Sequence, residues 1–106
     1  MPKYLIQASF TDTGVKGLLK DGGSKRRTAV NLLMKSLGGS VEAFYYGFGE
    51  GDVHLIVDLP DNTTAATVSL VATASGAFNI RTTPLLTPEE IDHAVKKTVK
   101  YRAPGR

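Results

Sequence analysis

The chain has no cysteine among its 106 residues. Disulfides, thiolate metal sites and a cysteine nucleophile are therefore all excluded. Packing and hydrogen bonds must hold the fold, which suits a reducing compartment. Long hydrophobic runs are missing as well. The longest weakly apolar stretch, Ala65 to Phe78, is interrupted by Thr67, Ser69, Thr73 and Ser75, so no segment reads as a membrane span. Met1-Pro2-Lys3-Tyr4 lacks the basic-then-apolar pattern of a secretory signal, and the expectation is a cytoplasmic protein. Charge of one sign is scarce too. The formal net charge is +3, short of the basic footprint that nucleic-acid binding needs. Five of the 13 cations fall between Lys96 and Arg106, where they read as a solvated helix end.

A chain of this length is expected to form one domain over residues 1–106, burying roughly two thirds of its unfolded surface. Lys3 to Phe10 alternates like a half-buried strand, with Tyr4, Ile6, Ala8 and Phe10 opposite Leu5, Gln7 and Ser9. Thr11-Asp12-Thr13 opens a short helical turn carrying Val15, Leu18 and Leu19, and Gly22-Gly23 breaks it. Ser24 then caps a helix with the stripe Val30, Leu33, Met34 and Leu37, stopped by Gly38-Gly39. Val41 to Phe48 and Val53 to Leu59 read as strands of a hairpin turning at Gly49-Glu50-Gly51-Asp52.

Pro60-Asp61-Asn62 introduces a helix from about Thr63 to Ser75 that is small and apolar nearly all round: Ala65, Ala66, Val68, Leu70, Val71, Ala72 and Ala74. A surface helix should show a polar face, so a second surface is expected to cover this one. Phe78 to Leu85 is a fourth strand. Thr87-Pro88-Glu89-Glu90 is a capping box that opens a last helix with the stripe Ile91, Val95 and Val99, ended by Pro104. The order β-α-β-β-α-β plus a C-terminal helix predicts an α+β fold, a split β-α-β sandwich with helices on one face of an antiparallel sheet.

The other face receives Leu5, Gln7, Ser9, His54, Ile56, Asp58, Asn79, Arg81 and Thr83, with Asp52 at its end. From the second strand it receives either Tyr45 or the set Phe44, Tyr46 and Phe48. Such a surface is too apolar to be comfortably wet and too polar for an ordinary core. It is what two sheets meeting around a partly hydrated cavity would present. A homodimer or higher oligomer is therefore expected.

Several separated segments carry a family resemblance: Lys3-Tyr4-Leu5-Ile6-Gln7, Gly22-Gly23-Ser24-Lys25-Arg26-Arg27, Leu37-Gly38-Gly39, Val57-Asp58-Leu59-Pro60-Asp61 and Thr82-Thr83-Pro84-Leu85-Leu86-Thr87. Together they resemble the GYD domain family over nearly the whole chain. The resemblance implies a ferredoxin-like domain that pairs as a dimeric α/β barrel, in a family without an established biochemical role. Gly49 and Asp52 match the motif that names the family, but Gly51 stands where its tyrosine is expected.

Other motifs have plainer readings. Gly47-Phe48-Gly49-Glu50-Gly51 is followed by a strand, not by the helix N-terminus that a dinucleotide loop requires. It also lacks the basic residue and the second aromatic of an RNA-binding sheet, so hairpin geometry explains it better. Lys25, Arg26 and Arg27 follow Ser24 in the first turn of a helix, where cations oppose the macrodipole. They are expected to meet an acidic residue such as Glu50 or Asp52, or else a carboxylate or phosphate ligand. His54 and Asp52 lack a third group for a metal site, since Asp58 lies about 20 Å from Asp52 along an extended strand. No metal or cofactor is expected. The leading expectation is an oligomeric domain holding a small, partly apolar ligand near Gln7, Ser9, Tyr46, His54 and Arg81. The rival is a cofactor-independent oxygenase or isomerase with His54 as acid or base, by fold analogy alone.

Overall fold

Alternation along Lys3–Phe10 (β1) decides which side of the sheet is core. The computed structural model, which describes residues 1–106, buries Tyr4, Ile6 and Ala8 of this strand and leaves Leu5, Gln7 and Ser9 half-exposed on the other side. β1 is a central strand, antiparallel to both neighbours. It pairs with Val53–Asp58 (β3) through Ile6 opposite Leu55, and with Phe78–Leu85 (β4) through Ile6 opposite Thr82. Ser40–Tyr46 (β2) adds to the far side of β3, giving a four-stranded antiparallel sheet of order β2-β3-β1-β4. The fold is α+β, with four helices and this one sheet.

Three of the helices are Asp12–Asp21 (α1), Gly23–Ser36 (α2) and Asn62–Ala74 (α3). The core joins Val53, Leu55, Val57 and the β1 residues to Met34 of α2, to Ala65 and Val68 of α3, and to Leu59. Each buried Val, Leu, Ile or Met of this core contributes roughly 1.5–3 kcal/mol. Two polar ties reinforce these contacts. The hydroxyl of fully buried Tyr4 donates to Asn62 Oδ1 at 2.6 Å, fixing the start of α3 to the sheet. Ser69 and Thr82 join α3 to β4 through their hydroxyls at 2.8 Å.

The expected helical turn after Thr11 is a full ten-residue helix. The Thr11 hydroxyl accepts the Gly14 N–H at its start, while its backbone N–H and hydroxyl donate to Ala77 O and Gly76 O. α1 is thereby stitched to the segment entering β4. Gly14 is buried at that crossing, and a Cβ there would run into Ala77 O and Phe10. Because α1 persists to Asp21, only Gly22 separates it from α2. Ser24 then lies inside the first turn of α2 and is not its cap; Gly22 holds that position, without a side-chain cap bond.

β2 ends at Tyr46, so Phe48 lies beyond it and is fully exposed. The strand carries an irregularity between Val41, opposite Val57, and Ala43, opposite Ile56. A bulge of this kind shifts the alternation by one residue. α3 begins as expected at an aspartate cap, Asp61, whose carboxylate accepts both the backbone N–H and the hydroxyl of Thr64. Its core face is Ala65 and Val68, and Leu70 and Val71 remain exposed, so nothing within one chain covers its second apolar side.

Pro88–Val95 (α4) opens on the expected capping box of Thr87 and Glu90. It stops at Val95, well short of Pro104, so Val99 is outside it and the stripe Ile91, Val95, Val99 is exposed. No residue of α4 is buried. The radius of gyration is 17.0 Å and the longest axis 58 Å, against about 13 Å for the radius of a compact chain of this length. No helix is long and apolar enough to cross a membrane.

Candidate functional site

The strand registers bring four polar or aromatic side chains into one line on the helix-free face. Tyr45 of β2 lies opposite His54 of β3, His54 opposite Gln7 of β1, and Gln7 opposite Arg81 of β4. The next row inward on this face is Ala43, Ile56, Leu5 and Thr83. The end row is ionic: Lys3 Nζ lies 2.9 Å from Asp58 Oδ1 and 3.4 Å from Glu42 Oε2. That hydrogen bond to Asp58, with the two negative charges, raises the Lys3 pKa against a smaller opposing effect of desolvation. The face thus has an apolar middle between a charged rim and a hydrogen-bonding band.

Of the five residues expected to line one cavity, Gln7, Ser9, His54 and Arg81 share this face, and Tyr46 does not. The bulge puts Tyr46 opposite Val53 on the helix side and Tyr45 in the band instead. A signal for this existed in the sequence: Val41 and Phe44 are both apolar yet three apart, a spacing that a regular strand cannot place on one face. Beside the band, Gln7, Ser9, Asn79 and Arg81 form with Gly49, Glu50 and Gly51 an open, mainly polar groove of about 580 Å³.

His54 is half-buried, and its Nε2 lies 3.2 Å from Gly51 O. A carbonyl can only accept, so this ring nitrogen carries a proton and the imidazole closes the turn. Gly51 has φ +82°, and a Cβ there would stand 3.1 Å from the imidazole Cε1. Any side chain at this position would need both a strained left-handed backbone and a small displacement of the His54 ring. Asp52 is also structural. Its carboxylate accepts the Phe10 N–H at 2.9 Å, its own N–H donates to Ala8 O, and its carbonyl accepts from Gly47.

With Asp52 so engaged, neither it nor exposed Glu50 meets the basic turn of α2. The only ion pair there is Lys25 with Asp21, at 4.0 Å. Arg26 turns inward instead, its guanidinium 5.7 Å from the centre of the Phe78 ring. Tyr46 is close by; its hydroxyl donates to Gly23 O at 3.0 Å, and its ring stands edge-on to Phe44. Burial raises its pKa, and the Arg26 and Arg27 charges partly oppose that. Arg26 and Tyr46 both border a cavity of about 370 Å³ between the sheet and helices α2 and α3, which sequence reasoning did not anticipate. Of its 19 lining residues 17 are hydrophobic, the others being Arg26 and Ser75.

No group of three or more His, Cys, Asp or Glu side chains is placed to hold a metal ion. Neither the curated proteins nor the solved structures contain a significant match to the chain. The sequence profile described as the GYD domain matches residues 4–95, which takes in all of the sheet but Lys3, the glycine turn and α1 to α4. The chain belongs to the GYD domain family.

Proposed function

We propose that this domain works as a homodimer that binds a small, partly apolar ligand between two paired sheets. The single observation that carries the reading is the graded helix-free face. Its band of Tyr45, His54, Gln7 and Arg81 crosses all four strands next to the apolar row of Ala43, Ile56, Leu5 and Thr83. An apolar centre bordered by charged and hydrogen-bonding groups is the anatomy of a protein interface, and a two-fold axis would let the same patch meet itself. The strand order β2-β3-β1-β4, in which β3 sits between β1 and β2, supports a ferredoxin-like body and the sheet-to-sheet pairing of dimeric α/β barrels. Arg81 and Gln7, bordering the groove at the band's edge, would orient a polar group of the ligand.

Sedimentation velocity tests the assembly. The wild-type chain is expected to sediment as a dimer at micromolar concentration, and Ile56→Lys, with a charge at the centre of the apolar row, as a folded monomer. A monomeric wild type overturns the reading. Native mass spectrometry of freshly purified protein then reports any retained ligand, which should be lost with the dimer in Ile56→Lys.

A further inference from the structure

We propose that the cavity between α2, α3 and the sheet is a separate binding site for a small amphipathic carboxylate, with Arg26 holding the carboxylate. The walls are aliphatic and aromatic: Ile6 and Leu55 form the floor, Val30 and Leu33 one side, Val68 and Val71 the other. Val71 is 56 % exposed, so the space opens outward between the helices. At about 370 Å³ it falls in the range of small-molecule pockets, and water left against such walls is unfavourable.

Arg26 supplies the one charge on those walls. It takes no part in the ion pairs of the chain, which are Lys3 with Asp58 and Glu42, and Lys25 with Asp21. Its stem and guanidinium reach from the first turn of α2 toward the Phe78 ring, a position that keeps the cation at the margin of the apolar space. A planar guanidinium with free donors matches a carboxylate in two-point geometry. The chemistry therefore selects a ligand with a hydrocarbon or aryl body and one anionic end, as distinct from the polar groove on the opposite face of the sheet.

Isothermal titration of the full chain with octanoate, and with octanol as the uncharged match, reads the proposal. Octanoate is expected to bind about tenfold or more tightly than octanol, the size of one good charge-assisted contact. Arg26→Gln should reduce octanoate to the octanol level, and Arg26→Lys should retain part of the difference. Ala72→Phe, which fills the cavity from α3, should abolish binding of both. Ile56→Lys, on the other face, should keep the part of octanoate binding that Arg26→Gln removes, so failure of the dimer is distinguishable from failure of this site. Equal binding of octanoate and octanol, no effect of Arg26→Gln, or undiminished binding by a folded Ala72→Phe each overturns it. If Ala72→Phe instead dissociates an oligomer, the cavity is occupied by a second copy and the proposal falls.

Discussion

His54 and Gly51 form one unit: the imidazole Nε2 donates to the glycine carbonyl at 3.2 Å, and the ring stands 3.1 Å from where a Gly51 Cβ would lie. Gly51→Tyr is therefore expected to destabilise the fold. The left-handed backbone contributes about 1–2 kcal/mol and the clash with the ring about 1–3 kcal/mol more. Urea denaturation of Gly51→Tyr, His54→Ala and the double variant separates the two. The double variant should recover the steric part only.

Tyr46→Phe removes the bond from β2 to the first residue of α2. A net loss of about 0.5–1 kcal/mol is expected, read as a lower urea midpoint at unchanged slope. The phenol also has a raised pKa in the folded state. The folded chain thus holds that proton more tightly than the unfolded one. The associated stability is complete below about pH 10, the ordinary tyrosine value, and is lost as pH rises through the folded value. In Tyr46→Phe the alkaline decline in melting temperature should be shallower than in wild type.

Asp61 works in the opposite window. Bonds from the Thr64 hydroxyl and backbone N–H hold its carboxyl below the usual aspartate pKa. Its stabilising effect is present above about pH 4 and is lost as pH falls through the folded value. Asp61→Ala should lower the melting temperature at neutral pH. The gap between variant and wild type should close on acidification, as followed by circular dichroism.

Gly14→Ala is expected to cost about 1–3 kcal/mol by overpacking, because the added methyl meets the Ala77 carbonyl and the Phe10 ring. Gly17→Ala in the same helix has open space around it and should be neutral or slightly stabilising. Thermal unfolding of the pair isolates close approach from helix propensity.

The strands and the aspartate and threonine caps were legible because each rests on local chemistry: alternation in β1 and β3, Asp61 before Thr64, Thr87 before Glu90. The sequence leaves Tyr45 and Tyr46 as alternatives for the helix-free face because one bulged residue reverses everything downstream in a strand, and its effect depends on pairing with β3. Ser24 reads as a cap in the sequence because the length of α1, which leaves only Gly22 between helices, is set by its contacts with the segment entering β4. The Arg26 cavity had no sequence signal, since its walls come from six separate elements and its volume from how far α2 and α3 stand apart.

α4 has a complete cap yet no residue buried against the body. A helix of 8 residues is well below the length at which isolated helices hold in water, about 12–15 residues. The molecule therefore has two stability scales. Amides of β1 are released to solvent only when the whole sheet opens, whereas those of α4 exchange by local fraying that leaves the sheet intact. Whatever docks against Ile91 and Val95 would thus slow exchange in α4 selectively, making that segment a reporter of assembly.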